Sequence, residues 1–445
     1  MTKHQHFLLT FTASACLIAT IIGCGSGKGS NNSGGGGSTG TPSFATTVVI
    51  GDSLSAGFQN GSLLDSQQPN GWASLVATQA NFTLTLPLIV PPGAPAVLKL
   101  VSVGPPAVVT QTSGITTGRD NPSAQPNDLA VPGHLLNDLI NTAPVAIPTT
   151  DEEIITDFVL GFPLGNNKTQ MNEAIQLNPT ALFVWIGSND ALQADDTGTP
   201  ASMTSVATFT QEFQQLLSTL HAQTKATLIV GNIPDVTTVP YLTPAATIIA
   251  EVATETGLSQ AQVATDLGIQ TGDLVNATGQ SQVQTAVTAI QQGQTPTPLT
   301  DAGFLNATEI ATIQSTVTQY NAAIAQEVTA EGGVLVDIHT FISSLAQNGI
   351  TINNYQATST FLGGLFGLDG IHPTNTGYAL IANQFIDTMN TSLKTSIADV
   401  NVSTIAVADP LFGPNIKPTG AVRTIPLNAA RRADLIITPR KQAQK

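Results

Sequence analysis

The chain has 445 residues, a formal charge of −15 at pH 7, 10% charged residues and 5% aromatics. Between Ser43 and Asn390 its only basic residues are Lys99, Arg119, Lys168 and Lys225, so no basic stripe exists there and nucleic acid is not a partner. Cys16 and Cys24 are the only cysteines, and no His, Asp and Glu grouping has metal-ligand spacing, so neither a disulfide nor a metal or other cofactor is expected in the body.

At the N-terminus an apolar run from Phe7 to Ile22 follows a single lysine, too short and wrongly flanked for a membrane span, and reads as an export signal over residues 1–23. Its ending, Ile21-Ile22-Gly23-Cys24, resembles the lipobox of bacterial lipoproteins, which implies cleavage before Cys24 and lipid attachment to its thiol. The run before Cys16 is too short for the same role. An ordinary secretory signal with a chance cysteine is the alternative. Residues 24–43 are rich in Gly and Ser without apolar periodicity and read as a flexible tether. Gly25 after the cysteine favours, by the same resemblance, an outer-membrane anchor in the cell envelope, against a secreted or periplasmic form.

A folded domain is expected over residues 44–395. Residues 46–50, 181–186, 226–230 and 333–338 are short apolar runs that read as buried strands, and a further strand ends near residues 129–131. Three core-facing helical stripes accompany them: Val206, Phe209, Phe213, Leu216, Leu217 and Leu220; Ile310, Ile313, Val317, Tyr320, Ile324 and Val328; Tyr378, Ile381, Phe385, Ile386 and Met389. This order predicts an α/β fold with a parallel sheet. Residues 81–126, where 82–90 and 97–103 resemble a β-ribbon, and residues 241–299, weakly helical at Leu258, Val263 and Leu267, read as insertions, each a cap over a site or surface decoration. The extension 396–445 carries Arg423, Arg431, Arg432, Arg440, Lys441 and Lys445, a solvated basic tail or a contact for anionic lipid or surface polymer.

Four motifs fall at or beyond strand ends. Val48-Val49-Ile50 breaks into Gly51-Asp52-Ser53-Leu54-Ser55; Leu129-Ala130-Val131-Pro132-Gly133 is a second exit; Trp185-Ile186-Gly187-Ser188-Asn189-Asp190 is a third; Asp369-Gly370-Ile371-His372 follows a glycine-rich stretch. Ligands of an open parallel sheet bind beyond the carboxyl ends of its strands, where these motifs would converge. A serine at one such exit, taken alone, is a helix cap. In this order the four blocks, within residues 46–390, resemble the GDSL family of SGNH hydrolases. The resemblance implies a flavodoxin-like three-layer α/β/α sandwich, with Ser53 as nucleophile, His372 as base and Asp369 orienting the imidazole. It assigns the oxyanion hole to the Ser53 N–H, the Gly133 N–H and the Asn189 side-chain amide. The chemistry asks for the same parts, since a serine hydroxyl needs a base near neutrality and a developing oxyanion needs preset donors. The sequence departs from the family after Gly133, where His134-Leu135-Leu136-Asn137 stand in place of a small residue or further glycine, which leaves Gly114 and Gly118 as substitutes.

The resemblance thus implies an exported esterase or lipase acting through an acyl-enzyme. Phe158-Val159-Leu160-Gly161-Phe162-Pro163 and Phe361-Leu362-Gly363-Gly364-Leu365-Phe366 are expected to line an acyl pocket, which favours lipid or fatty esters. A carbohydrate O-acetyl esterase is the alternative, disfavoured by few aromatics to stack sugars; a non-catalytic surface-binding protein on a hydrolase fold is a third reading. Asp52 and Asp190 read as structural acceptors. His134 reads as a substrate contact or as a helix-start residue satisfied by backbone, and His221 and His339 have no partner at catalytic spacing.

Overall fold

Val48 and Ile50 pack on one side of strand β1 (Thr47–Gly51) and Val49 on the other, and each side meets a different set of helices. The computed structural model describes residues 43–104, 107–111, 114, 118–161, 168–416 and 424–437; Cys16, Cys24, the signal and most of the tether, Phe162, Pro163, Arg423, Arg440, Lys441 and Lys445 lie outside the described residues. Strand β1 pairs in parallel with β2 (Ala181–Trp185), β2 with β3 (Thr227–Gly231), and β3 with β4 (Val334–Val336). Residues 127–131 run along the other edge of β1, with Val49 N–H donating to Asn127 O (2.8 Å), Leu129 N–H to Val49 O (2.9 Å) and Val131 N–H to Gly51 O (3.1 Å). Counting that row in chain order, the sheet reads 2-1-3-4-5, the flavodoxin-like arrangement. The run at 333–338 is shorter as a strand than its sequence suggests, because Asp337 accepts from the Thr340 N–H and opens a helix at Ile338.

Five helices build the layers and the site: α1 (Trp72–Ala80), α2 (Ser188–Thr197), α3 (Val206–Gln223), α4 (Ala307–Ala330) and α5 (Asn375–Leu393). On one face Val49, Phe183, Trp185 and Ile229 pack with Trp72 of α1 and Phe385 of α5, whose rings stack 3.9 Å apart. On the other, Val48, Ile50, Leu182 and Val184 meet Phe209 and Phe213 of α3 and Ile313 and Val317 of α4. Side chains of this size each contribute about 1.5–3 kcal/mol on full burial, so the two faces fix the three-layer arrangement.

The insertions behave differently from one another. In the first, Leu98–Ser102 pairs antiparallel with Val108–Gln111, not with residues 82–90, because Phe82 and Leu84 are drawn against the core under α1 and α5. The second carries helices Ala245–Thr256, Gln260–Leu267 and Ala277–Gln291 around its own core of Ile248, Ile249, Val263 and Leu267, and continues to Leu305 through a three-stranded sheet. The C-terminal residues described are not a solvated tail. Helix α6 (Leu427–Ile437) buries Ala429, Ala430, Ala433 and Ile437 in the main core, and Arg432 is 7% exposed. Its guanidinium is satisfied by Gln111 Oε1, at 2.6 and 3.2 Å, which is what permits a cation there. Among the described residues no helix is long and apolar enough to cross a membrane.

Candidate active site

Beyond β1 the chain turns so that Ser53 Oγ lies 2.7 Å from His372 Nε2, while His372 Nδ1 lies 3.1 Å from Asp369 Oδ2. All three residues are at most 3% exposed. An ionised carboxylate only accepts, so the imidazole proton sits on Nδ1 and the Nε2 lone pair faces the serine hydroxyl. Asp369 Oδ1 accepts from the N–H groups of Ile371 and His372, both at 2.9 Å, and Oδ2 accepts from the Gly61 N–H at 2.5 Å. Burial pushes the Asp369 carboxyl up, but the His372 charge and these hydrogen bonds outweigh it and leave the group below its ordinary value.

Gly61 belongs to a two-residue hairpin. Gln59 and Ser62 exchange backbone hydrogen bonds of 3.0 and 3.1 Å, and the intervening Asn60 and Gly61 have φ of +53° and +68°. Such a turn selects Asn-Gly, and that dipeptide was the sequence signal for a pair of supporting residues the motif reading did not single out. Asn60 Oδ1 accepts from Leu368 N–H (2.9 Å), Gln59 Nε2 donates to Pro373 O (3.1 Å) and Tyr378 Oη donates to Phe58 O (2.6 Å). The Phe58 ring packs 4.6 Å from the His372 ring. Residues 57–63 and 365–373 are thereby bound into one wall.

The opposite wall comes from two strand exits. Val131 N–H donates to Gly51 O, so Gly133, with φ of +81°, follows the strand exit beside the one that carries Ser53. Gly187, with φ +111° and the Phe209 ring and Ile233 within 3.0 Å of any added Cβ, starts α2 and sets Asn189 in its first turn. Asn189 Nδ2 donates to His134 O at 3.0 Å, which fixes the amide orientation and leaves a second hydrogen on the same nitrogen. Gln170, which no sequence motif marked, joins the exits: its Oε1 accepts from Gly51 N–H (3.0 Å) and its Nε2 lies 2.9 Å from His134 Nδ1. A backbone N–H can only donate, so the atom facing Gly51 is the oxygen and the amide nitrogen donates to Nδ1. His134 therefore carries its proton on Nε2, 3.2 Å from Thr156 Oγ1. It is fully buried, held chiefly by these side chains, and does not line the pocket.

Asp52 accepts from Leu54 N–H (3.0 Å), and Asp190 from Leu136 N–H (2.9 Å) and Thr204 Oγ1 (2.6 Å), both as structural acceptors. Burial pushes Asp52 and Asp190 up to about 7, against those donors, and Asp128, before the 129–131 exit, up to about 8. His339 Nδ1 lies 3.0 Å from Ile233 O, and His221 lies 3.8 Å from Glu331 on an exposed surface; neither lines the pocket. Gly114 and Gly118 lie in the first insertion, their carbonyls bonded to Ala96 and Val90. Among the described residues no three His, Cys, Asp or Glu side chains gather as a metal site.

Ser53 and Asn189 open onto one largely apolar pocket, walled by Leu192, Val236, Ile342, Leu345, Leu365 and Phe366. Of the two segments expected there, residues 361–366 supply Leu365 and Phe366. Phe158, Val159 and Leu160 instead face the main core from helix Asp151–Leu160, whose apolar side packs inward. Phe361 lines an adjoining pocket with Thr243, Pro244 and Leu274 of the second insertion, and the two pockets share Val239, Ala346 and Ser359. No described residue of 81–126 lines either one.

The parallel sheet between two helical layers is a three-layer α/β/α fold, and a serine, a histidine and an aspartate are joined at its carboxyl edge. The GDSL-like Lipase/Acylhydrolase family matches residues 47–385, and the chain belongs to that family, with the SGNH hydrolase fold. It is a carboxylic ester hydrolase. Solved structures similar to it include LAE5, an alpha/beta hydrolase enzyme from the metagenome of Lake Arreo, Spain, at 15% identity over 80% of this chain and 100% of that one, with a TM-score of 0.37. Another is Axe2, an acetylxylan esterase from Geobacillus stearothermophilus, at 11% identity over 79% of this chain and 97% of that one, with a TM-score of 0.36. No curated protein sequence matches significantly.

Proposed function

We propose that the enzyme cleaves esters of apolar acyl chains through an acyl-enzyme on Ser53. His372 takes the serine proton as Oγ attacks the carbonyl, returns it to the leaving alkoxide, and then activates water for deacylation. Asp369 holds the Nδ1 tautomer and stabilises the imidazolium. The Ser53 and Gly133 N–H groups and the second Asn189 amide hydrogen receive the oxyanion. The observation that carries this reading is the buried chain from Ser53 Oγ through His372 to Asp369, at 2.7 and 3.1 Å, opening onto an apolar pocket. The apolar walls favour a hydrocarbon acyl group over acetyl.

By the sequence of its N-terminus the enzyme is exported, cut before Cys24 and lipid-anchored there to the outer membrane. The test is a series of aryl esters from acetyl to octanoyl, hydrolysed by the full chain expressed in a bacterium. Octanoyl ester should have the higher kcat/KM and activity should sediment with membranes, being released by Cys24→Ala. Equal hydrolysis of acetyl and octanoyl esters would remove the acyl-pocket reading, and soluble activity in the parent would remove the anchor.

A further inference from the structure

The family match ends at residue 385, but the chain beyond it packs directly behind the acid-base wall. Ile425 is 1% exposed, and a Cβ added to Gly370 would sit 2.7 Å from Ile425 Cδ1 and 2.8 Å from the Tyr241 nitrogen. Tyr241 N–H also donates to Gly370 O at 2.9 Å. The residue after Asp369 is thus gripped from two sides. Arg432 does the same at the hairpin tip, where a Cβ on Gly61 would meet its Cγ at 2.2 Å. Gly61 is the residue whose N–H donates to Asp369 Oδ2. With a methylene stem already against its Cα, the tip cannot retreat from the carboxylate.

The same segment is fixed at several points. Asn428 Nδ2 donates to Val109 O (2.6 Å), Arg432 to Gln111 Oε1, Arg431 to Ser281 Oγ (3.0 Å), and Tyr241 Oη to Asp434 Oδ1 (2.7 Å). It is therefore held by both insertions and by the Tyr241 loop. Earlier in the extension, Asp409 Oδ2 accepts from Thr376 N–H (2.8 Å) and Oγ1 (2.7 Å), in the first turn of α5 just after His372. The extension thus braces the 365–376 region at Gly370 and at Thr376. A segment that merely covered apolar surface would not need to meet both Gly61, which donates to Asp369, and Gly370, which follows Asp369 in the chain.

We propose that residues 424–437 are a positioning clamp for the acid-base pair, with Ile425 and the Arg432 stem pressing Gly370 and Gly61 onto Asp369; this rests on the reading of Asp369 and His372 as that pair. Neither Ile425 nor Arg432 lines the substrate pocket, so their effect is on geometry, not on substrate binding. The test uses the full chain with Ile425→Ala, Arg432→Ala and Arg432→Met. The readouts are kcat and KM on an aryl ester and, in a Ser53→Ala background, the low-field proton NMR signal of the His372–Asp369 hydrogen bond.

Both alanine variants should lower kcat on the order of ten- to a hundredfold with KM held, and broaden or shift that proton signal. Arg432→Met keeps the stem and should restore both. Unmoved kcat and signal in the alanine variants would overturn the clamp, as would Arg432→Met falling as far as Arg432→Ala. If Ile425→Ala fails to fold, Ile425→Val carries the same test with a smaller drop. Because the signal needs no turnover, a wrong nucleophile shows as activity in Ser53→Ala, whereas a wrong clamp shows as an unmoved signal.

Discussion

On one side of Ser53, residues 57–63 and 365–373 are tied by side-chain hydrogen bonds of Gln59, Asn60 and Asp369, and Tyr378 of α5 adds one to Phe58. On the other, Gln170 joins the exits at Gly51 and Gly133, and Asn189 and Asp190 tie the Gly187 exit to the backbone at His134 and Leu136. The difference follows from what each wall has to place. A proton relay needs two side chains aligned with a third, and side chains must be held individually. Two of the proposed oxyanion donors are backbone N–H groups just beyond adjacent strand exits, so on that side it is the backbone of the exits that is braced.

The buried carboxylates divide the same way. Asp369 is held below its ordinary value by its partners, whereas Asp190 and Asp128, on the oxyanion side, are pushed up to about 7 and about 8 by burial.

The strongest way to break this comparison is to remove one member from each wall. Asp369→Asn should lose about 10⁴ in kcat, because the imidazole is left in the wrong tautomer. Asn189→Ala should lose only about 10²–10³, since the backbone donors persist. Initial rates on one aryl ester under saturation measure both, and equal losses would mean the walls do not divide the work as described.

A smaller effect concerns stability. Asp52, Asp128 and Asp190 have folded-state values of about 7, 8 and 7 against 3.8 unperturbed, so between these limits the native state binds more protons than the unfolded chain. Their contribution is fully present below about pH 4 and is lost as pH rises through about 7 to 8. Asp369, held low, acts oppositely, and its stabilisation is lost only as pH falls below the ordinary carboxylate range. Calorimetry should find a higher melting temperature at pH 5 than at pH 8, and the reverse order would contradict the burial of these groups.

Much of the site was readable because strand exits are local. The runs before Gly51 and Gly187 are apolar and β-branched or aromatic, so their ends, and with them Ser53 and Asn189, could be placed. The Asp369–His372 spacing likewise lies within one loop. What did not show were contacts made across the fold. Gln170 reaches Gly51 over 119 positions, and a lone glutamine carries no periodic or motif signal. Val108–Gln111 replaced residues 82–90 as the ribbon partner because Phe82 and Leu84 found a better apolar surface than each other's strand neighbours. Helix α6 looked solvated because its buried stripe is Ala429, Ala430 and Ala433, small residues that weaken the hydrophobic pattern beside Arg431 and Arg432.

The central claim is that both walls serve one nucleophile, and Ser53→Ala tests it most directly. With the octanoyl aryl ester, the account predicts a loss on the order of a million-fold in kcat, with the fold unchanged by circular dichroism. Hydrolysis within a factor of about ten of the parent would contradict it, because among the described residues Ser53 Oγ is the hydroxyl hydrogen-bonded to His372 Nε2.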